Sequence, residues 1–130
     1  MVIDTSAIVA ILLCEPEAEA IVHAILADPK RLMSSFSFLE CSIVIEARKG
    51  ELGGRELDLL LHRLQIELIS LSPEQAQLAR EASRKFGKGR HKAALNIGDC
   101  CSYALARYMG EPLLFKGDDF NHSDTVWVKW

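Results

Sequence analysis

The sequence lacks any apolar segment long enough to cross a membrane. Its longest uncharged apolar run covers residues 7–14, whereas a membrane-spanning helix needs about 20 such residues. Its first residues carry no basic segment, so we expect no secretory signal peptide. The net charge of −3 excludes a protein that coats nucleic acid through bulk positive charge. We therefore expect a cytoplasmic protein whose function depends on a local site.

Cysteine is present but has no metal-binding or disulfide spacing. The four residues, Cys14, Cys41, Cys100 and Cys101, form no C-x-x-C motif, and zinc sites need recognisable ligand spacing. Each lies in an apolar helical context. We therefore expect small buried hydrophobic residues in a reducing compartment rather than a disulfide framework.

The remaining composition is that of an ordinary soluble domain. The chain has 130 residues, of which 49% are hydrophobic and 25% charged, which predicts a single domain over residues 1–130. Short apolar segments alternate with longer amphipathic ones, and this alternation predicts an α/β/α sandwich around a mainly parallel sheet. The predicted strands are Met1–Asp4, Arg31–Ser34, Ile66–Leu71, Leu113–Phe115 and Val126–Lys129.

The predicted helices include a two-helix arm over residues 35–64. Its helices are Ser35–Lys49 and Arg55–Leu64, joined by a turn at Gly50–Gly54. A leucine stripe on the second helix, formed by Leu57, Leu60, Leu61 and Leu64, is consistent with either a docking or dimer surface or plain core. The other predicted helices are Ser6–Leu13, Glu17–Ala27, a helix from Ser72 to about Phe86, and Asn96–Met109.

Acidic residues recur where strands end and helices begin. Asp4 follows the first strand, Asp118 and Asp119 follow the strand that begins at Leu113, and Glu40 and Asp99 lie in the first turns of helices. In open parallel sheets, ligands bind outside the carboxyl ends of the strands. The acids are therefore expected to meet in one cleft.

A cluster of carboxylates is unfavourable unless a cation lies among them. Oxygen ligands of this kind suit Mg²⁺ or Mn²⁺. A divalent ion held by carboxylates can activate water and stabilise charge on a scissile phosphate. The pattern therefore indicates metal-dependent phosphoryl-transfer chemistry.

Each acid also has a purely structural interpretation. Asp4 can cap the following helix, and Glu40 can form a capping box with Ser37. Asp99 lies three residues after Asn96, a second possible cap with an acid in the first turn.

The remaining acids are equally ambiguous when taken singly. Asp118 and Asp119 can be turn residues after Gly117, and the residues alone do not choose between them as site acids. Glu46 lies six residues after Glu40, on another face of the helix, and we interpret it as a group that supports the site acids from behind or as a salt-bridge partner. Only the joint placement of the acids favours a site.

A basic segment, residues 85–92, precedes Asp99 in the sequence. It is either a solvated surface loop or a contact for a nucleic-acid backbone. In the second case Lys88, Arg90 and Lys92 bind phosphate, and Lys116 adds charge at the same rim.

Other residues near the predicted site have open roles. Ser6 is expected to hydrogen-bond a carboxylate or a metal-bound water beside the site, or to act as a cap. Trp127 and Trp130 are expected to pack or to form an interface rather than to stack on bases.

Four segments of the sequence resemble one family. "VIDTSA", "SFLECSIVIEAR", "LNIGDCCSYALA" and "LLFKGDDF" occur in the order found in PIN-domain ribonucleases, in particular the VapC toxins of toxin–antitoxin pairs. The resemblance covers essentially the whole chain. Carried over by motif, it implies that Asp4, Glu40, Asp99 and Asp119 are the catalytic and metal-binding acids, with Asp118 in a variable slot.

The resemblance also implies a function and partners. It implies a PIN-like fold, a homodimer, endoribonuclease action that depends on Mg²⁺ or Mn²⁺, and a VapB-type antitoxin that covers the cleft. A catalytically silent PIN-type RNA-binding or scaffold module is the alternative. A receiver-like signalling domain is disfavoured because the strand that ends at Leu71 carries no terminal aspartate.

Overall fold

The computed structural model describes all 130 residues and has four parallel strands at its centre. The strands run side by side in the order β3-β2-β1-β4. They are β1 (Val2–Ile3), β2 (Leu32–Ser34), β3 (Glu67–Ile69) and β4 (Leu113–Leu114). The helices are α1 (Thr5–Leu12), α2 (Ala18–Ala27), α3 (Ser35–Arg63), α4 (Pro73–Phe86) and α5 (Ile97–Met109).

Alternate residues of the strands face two separate cores, which makes the molecule a three-layer sandwich. Ile3, Met33 and Leu114 pack with apolar residues of α1, α2 and α3 on one face. On the other face, Val2 and Leu32 pack with apolar residues of α4 and α5. Because successive side chains of a strand point to opposite faces, strands of two or three residues suffice to join both layers. The predicted α/β/α architecture is confirmed.

The arm differs from its prediction at the turn. Only Gly50 leaves helical geometry, with φ 65° and ψ −160°, and the residues after it return to helix at once. A β-carbon at Gly53 would lie 2.6 Å from the Ile45 side chain, so the second half of α3 folds back tightly onto the first. The five-residue turn was therefore wrong, because the later glycines allow close helix packing rather than form a loop.

The leucine stripe of the arm belongs to the core. Leu57, Leu61 and Leu64 are buried, and Leu60 packs against the same cluster. Their burial excludes the docking-surface interpretation of this stripe. The exposed large apolar residues of α3 lie on other faces, at Leu39, Ile43, Leu52 and Leu59.

Two smaller expectations also change. The predicted strand Val126–Lys129 is reduced to one parallel bridge between Trp127 and Leu113. All four cysteines are free, but Cys14 is exposed, because it follows the end of α1 in a left-handed conformation with φ 52°. No helix combines the length and the hydropathy that a membrane span requires.

Candidate active site

Asp4 is buried at the carboxyl end of β1 and is held through both carboxylate oxygens. Its Oδ2 accepts hydrogen bonds from the Ser6 amide at 3.0 Å and the Ser6 hydroxyl at 2.7 Å. Its Oδ1 accepts a bond of 2.5 Å from the Ser102 hydroxyl. Asp4 therefore caps α1, and the structural interpretation of this residue holds together with its place in the cluster.

A hydrogen-bonded chain of buried hydroxyl groups holds the Asp4 carboxylate in place. Ser102 Oγ lies 3.1 Å from Ser37 Oγ, and both residues are fully buried. Thr5 Oγ1 donates to the Ser37 carbonyl at 3.2 Å. These contacts connect α1, α3 and α5, so the orientation of Asp4 depends on the packing of three helices.

Asp99 lies at the start of α5, near enough to Asp4, Glu40 and Asp119 for their charges to act on it. Its Oδ2 accepts from the Asn96 amide at 3.0 Å, and Asn96 Oδ1 accepts from the Asp99 amide at 2.9 Å. The predicted cap is thus a complete capping box, which leaves Asp99 Oδ1 without a hydrogen-bond partner in the protein. Burial, together with the charges of Asp4, Asp119 and Glu40, raises the pKa of Asp99 to about 7, although the hydrogen bond from the Asn96 amide lowers it.

Glu40 approaches the same helix start from α3. A β-carbon at Gly98 would lie only 2.3 Å from Glu40 Oε2, so the carboxylate occupies the space that a side chain at position 98 would fill. The capping-box interpretation with Ser37 was wrong. The cap of α3 is Ser34, whose hydroxyl accepts from the Phe36 amide.

The two acids of the "KGDDF" loop have different surroundings. Asp118 Oδ1 accepts from the Asn121 amide group at 2.9 Å, as expected of a turn residue. Burial raises the pKa of Asp119, and the negative charges of Asp4 and Asp118 add to the effect. The effect of the Asp4 charge shows that the carboxyl groups of Asp4 and Asp119 lie near each other.

No lysine or arginine forms an ion pair with Asp4, Glu40, Asp99 or Asp119. A cation among them would therefore favour their ionised forms. No three of the protein's acidic, His or Cys side chains converge into a ready cage for a metal. Mg²⁺ usually keeps several waters and binds only one or two carboxylates. An open group of hard oxygen ligands therefore suits Mg²⁺ or Mn²⁺, whereas a structural metal site would need a closed set of ligands.

Lys116 lies beside Ser6, but its charge is paired within the protein. Its ammonium group pairs with Glu15 and, at 3.2 Å, with Glu17. Its backbone amide donates to Ser6 Oγ at 3.0 Å, which helps to orient the hydroxyl that binds Asp4. Ser6 and Lys116 therefore support the acidic cluster from the side of α1.

The basic segment forms a closed loop between α4 and α5. Its base is fixed by hydrogen bonds from the Lys88 amide to the Leu95 carbonyl and from the Leu95 amide to the Phe86 carbonyl. Lys88, Arg90 and Lys92 are exposed and form no ion pair. Their charges are available to an anionic ligand near the start of α5.

Glu46 does not belong to the cluster. It lines a groove with Ser42, Gly54 and Arg55 at the bend of α3, and it forms no ion pair. The salt-bridge interpretation was therefore wrong. The six-residue offset from Glu40 turns it toward the other half of the arm.

Sequence reasoning missed Ser102 and the role of Gly98. Ser102 lies three residues after Asp99, hence on the same side of α5, inside an otherwise apolar buried stretch. A lone hydroxyl in such a stretch is a usable signal, because buried polar groups need partners.

Comparison with known proteins decides the family. The PIN domain family model matches residues 1–125. The chain belongs to the PIN-domain family. It is 59% identical to ribonuclease VapC30 of Mycobacterium tuberculosis over 98% of each chain. It is 58% identical to ribonuclease VapC of Mycolicibacterium smegmatis over 98% of this chain and 99% of the other. The expected place among the VapC group of PIN-domain ribonucleases is confirmed.

Solved structures of a VapC toxin and of a toxin–antitoxin complex share the fold. The chain superposes on VapC20 of Mycobacterium tuberculosis, described as a toxin that cleaves the sarcin–ricin loop, with a TM-score of 0.78 and 15% identity. That match covers 98% of this chain and 97% of VapC20. A toxin–antitoxin complex from Klebsiella pneumoniae matches with a TM-score of 0.71 and 17% identity, over 98% of this chain and 95% of that one.

Proposed function

We propose that this chain is the ribonuclease toxin of a toxin–antitoxin pair and that it hydrolyses RNA phosphodiester bonds with Mg²⁺ or Mn²⁺. One observation supports the proposal: the charges of Asp4, Glu40 and Asp119, which come from separate parts of the chain, all act on Asp99, and no lysine or arginine pairs with any of the four acids. Membership among the VapC ribonucleases supplies the substrate class.

Asp4 and Asp99 are the residues that would hold the metal, with Glu40 and Asp119 as direct or water-bridged ligands. Bound there, a divalent ion would neutralise charge on the scissile phosphate and lower the pKa of a nearby water. Asp4 has three of its four lone-pair sites occupied by Ser6 and Ser102, so one Oδ1 position stays open toward the cleft. Asp99 offers its free Oδ1, and a carboxylate of the cluster accepts the proton of the attacking water.

The RNA approaches the acidic cluster along the basic loop and contacts this loop. We assign Lys88, Arg90 and Lys92 to the RNA backbone, because phosphate contacts position a nucleic acid without reading its sequence. Ser6 acts through Asp4, and Lys116 contributes through its backbone amide more than through its paired charge.

The partner assignment follows the same reasoning. We propose that residues 1–130 act as one PIN domain with residues 35–64 as its arm, that the chain forms a homodimer, and that a VapB-type antitoxin covers the cleft. Two of the structures that share the fold, from Rickettsia felis and Klebsiella pneumoniae, are of VapBC or toxin–antitoxin assemblies. Co-expression with the cognate antitoxin should give a complex in which cleavage is suppressed.

The decisive experiment is metal-dependent cleavage. Purified chain, free of antitoxin, is incubated with a pool of structured and single-stranded RNA and with Mg²⁺, Mn²⁺ or EDTA. Wild-type protein should cleave only with metal, and Asp99→Asn should not cleave. A matched pair tests the loop acids: Asp119→Asn should lose activity, whereas Asp118→Asn should keep most of it.

The same assay can refute the proposal. Cleavage that survives EDTA, or that Asp99→Asn retains, would exclude the metal-dependent mechanism assigned to these acids. A folded protein that binds Mn²⁺ but cleaves no RNA in the pool would favour the silent RNA-binding module.

A further inference from the structure

A cleft of about 390 Å³ opens beside the "KGDDF" loop. Two of its lining residues, Gly117 and Asn121, lie two positions before and two positions after Asp119. The cleft is therefore continuous with the loop that carries a candidate catalytic acid. Its lining consists of Phe115, Gly117, Asn121, Trp127, Lys129 and Trp130.

The two tryptophans of the cleft are fixed on one side and open on the other. The Trp127 ring packs against Phe115 with ring centroids 5.7 Å apart. The Trp130 indole Nε1 donates to the Phe115 carbonyl at 2.9 Å. Nevertheless Trp127 is 48% and Trp130 is 42% exposed. The expected packing is present, and it holds both indoles in place while leaving aromatic surface accessible to a ligand.

The polar groups of the cleft suit a nucleotide. Lys129 has the only charged side chain in the lining, and it forms no ion pair. The Asn121 amide nitrogen donates to Asp118 at 2.9 Å, so its carbonyl oxygen is free to accept a bond. An unpaired lysine and a free amide oxygen beside exposed aromatic rings are typical of sites that bind single-stranded nucleic acid.

We propose that this cleft binds an unpaired nucleobase of the RNA substrate next to the scissile phosphate. Trp127 and Trp130 provide the stacking surface, Asn121 contacts a base edge, and Lys129 contacts the adjoining phosphate. The proposal rests on the ribonuclease function proposed above. A second copy of this chain is the rival occupant, but lysine is depleted in protein interfaces, and the cleft is continuous with the catalytic loop.

The chain offers a direct probe, because these are its only two tryptophans. Asp99→Asn protein, which should bind RNA without cutting it, is titrated with a short single-stranded RNA of mixed sequence. Stacking should quench the tryptophan fluorescence. An RNA of the same length without bases should bind more weakly and quench little.

Variants then separate stacking from folding. In active protein, Trp127→Ala should raise KM for single-stranded RNA about tenfold with little change in kcat, as expected for loss of one stacked base. Trp127→Phe should recover most of the affinity. Lys129→Gln, away from the packed rings, should lower the salt dependence of binding by about 0.7 in log–log slope. Tyr108→Ala, an exposed aromatic at the far end of α5, is the matched control and should change nothing.

The outcomes distinguish the two proposals. If wild-type protein cleaves RNA through Asp99 but Trp127→Ala and Lys129→Gln leave KM and affinity unchanged, the base-binding cleft is refuted and the ribonuclease function stands. If the tryptophan variants convert a dimer to a monomer without changing RNA affinity, the cleft belongs to a second copy of the chain. If wild-type protein neither cleaves nor binds RNA, both proposals fail together.

Discussion

The two ends of the parallel sheet treat acidic residues in opposite ways. At the amino ends of the strands, the amino group of Met1 forms ion pairs with Asp28 Oδ2 at 2.7 Å and with Glu111 Oε2 at 3.3 Å. Lys30 adds an ion pair of 3.0 Å with Glu111. The hydrogen bond from the Met1 amino group holds the pKa of Asp28 below its ordinary value, and the bond from Lys30 does the same for Glu111.

At the carboxyl ends of the strands, the acidic side chains lie near hydroxyl groups and near one another, and no cation pairs with them. Burial raises the pKa of Asp99 to about 7 and also raises that of Asp119. Asp4 is bound by two serine hydroxyls and one amide. The acids at the amino ends of the strands stabilise the fold, whereas those at the carboxyl ends hold negative charge at a cost to stability. A fold retains such a cost where binding a cation compensates for it, which is a common property of functional sites.

The prediction with the largest expected effect on cleavage compares one aspartate at each end of the sheet. Asp4→Asn should reduce RNA cleavage about 1,000-fold, because the stabilisation supplied through a metal ligand is several kcal/mol. Asp28→Asn should leave cleavage unchanged and lower the free energy of unfolding by about 1 kcal/mol. Single-turnover cleavage and urea denaturation measure the two quantities. Equal loss of cleavage in both variants would remove the functional distinction between the ends.

The second prediction concerns pH and the metal-free protein. Between pH 4 and 7, Asp99 keeps its proton in the folded chain but loses it in the unfolded chain, so its contribution to stability falls as the pH rises. The lowered pKa of Asp28 acts in the opposite direction and loses its contribution as the pH falls. Asp99→Asn should therefore gain stability relative to wild type from pH 4.5 to 7.5, by at most about 3 kcal/mol for a pKa near 7.

Urea denaturation at several pH values in metal-free buffer measures this difference, since other titrating groups cancel between the two proteins. Added Mn²⁺ should restore the stability of wild type at pH 7.5 but not that of the variant. A pH-independent difference between the two would show that Asp99 is ionised throughout and that the cluster is better solvated than its burial indicates.

The third prediction tests the hydroxyl support of Asp4. Ser102→Ala should reduce cleavage and Mn²⁺ affinity by about 10- to 100-fold, the usual effect of removing a group that orients a metal ligand. Ser42→Ala removes a hydroxyl that binds only the Phe38 carbonyl on α3 and should change neither quantity. Calorimetric Mn²⁺ titration separates the loss of metal binding from a general loss of stability. Unchanged Mn²⁺ affinity in Ser102→Ala would refute the orienting role.

The sequence was sufficient to place the acids because the rule involved is topological. Asp4 directly follows a buried strand and Asp99 begins a helix, and in a parallel sheet both positions lie at the same edge. Only the family motif chose between Asp118 and Asp119, because adjacent loop residues have no periodicity to separate them. The structure adds the hydrogen bond from Asn121 to Asp118 and the influence of Asp4 on Asp119.

Contacts between distant helices could not be predicted in the same way. Ser102 meets Asp4 across 98 positions, and this contact depends on how α5 is rotated against β1. The tight return of α3 at Gly50 was also missed, because glycines in sequence indicate a loop and close helix packing equally well.

The smallest expected effect compares two glycines that each lie against a glutamate. A β-carbon would come within 2.3 Å of Glu40 Oε2 at Gly98 and within 2.3 Å of Glu46 Oε1 at Gly54. Both glycines are in helices, so alanine adds helix propensity worth about 1 kcal/mol at each site. In both variants the flexible end of the glutamate must move, but only Glu40 belongs to the acidic cluster. Gly98→Ala should therefore lower cleavage about tenfold, the lower bound for disturbing a metal ligand's support, while Gly54→Ala stays at the wild-type rate.

Cleavage measured across a range of Mn²⁺ concentrations shows where the Gly98→Ala defect lies. If the displaced Glu40 is a direct or water-bridged ligand, high Mn²⁺ should recover part of the lost rate. If Glu40 only fills space beside α5, Gly98→Ala and Gly54→Ala should cleave alike at every metal concentration. That result would reduce the cluster to the three aspartates, which come from β1, α5 and the loop after β4.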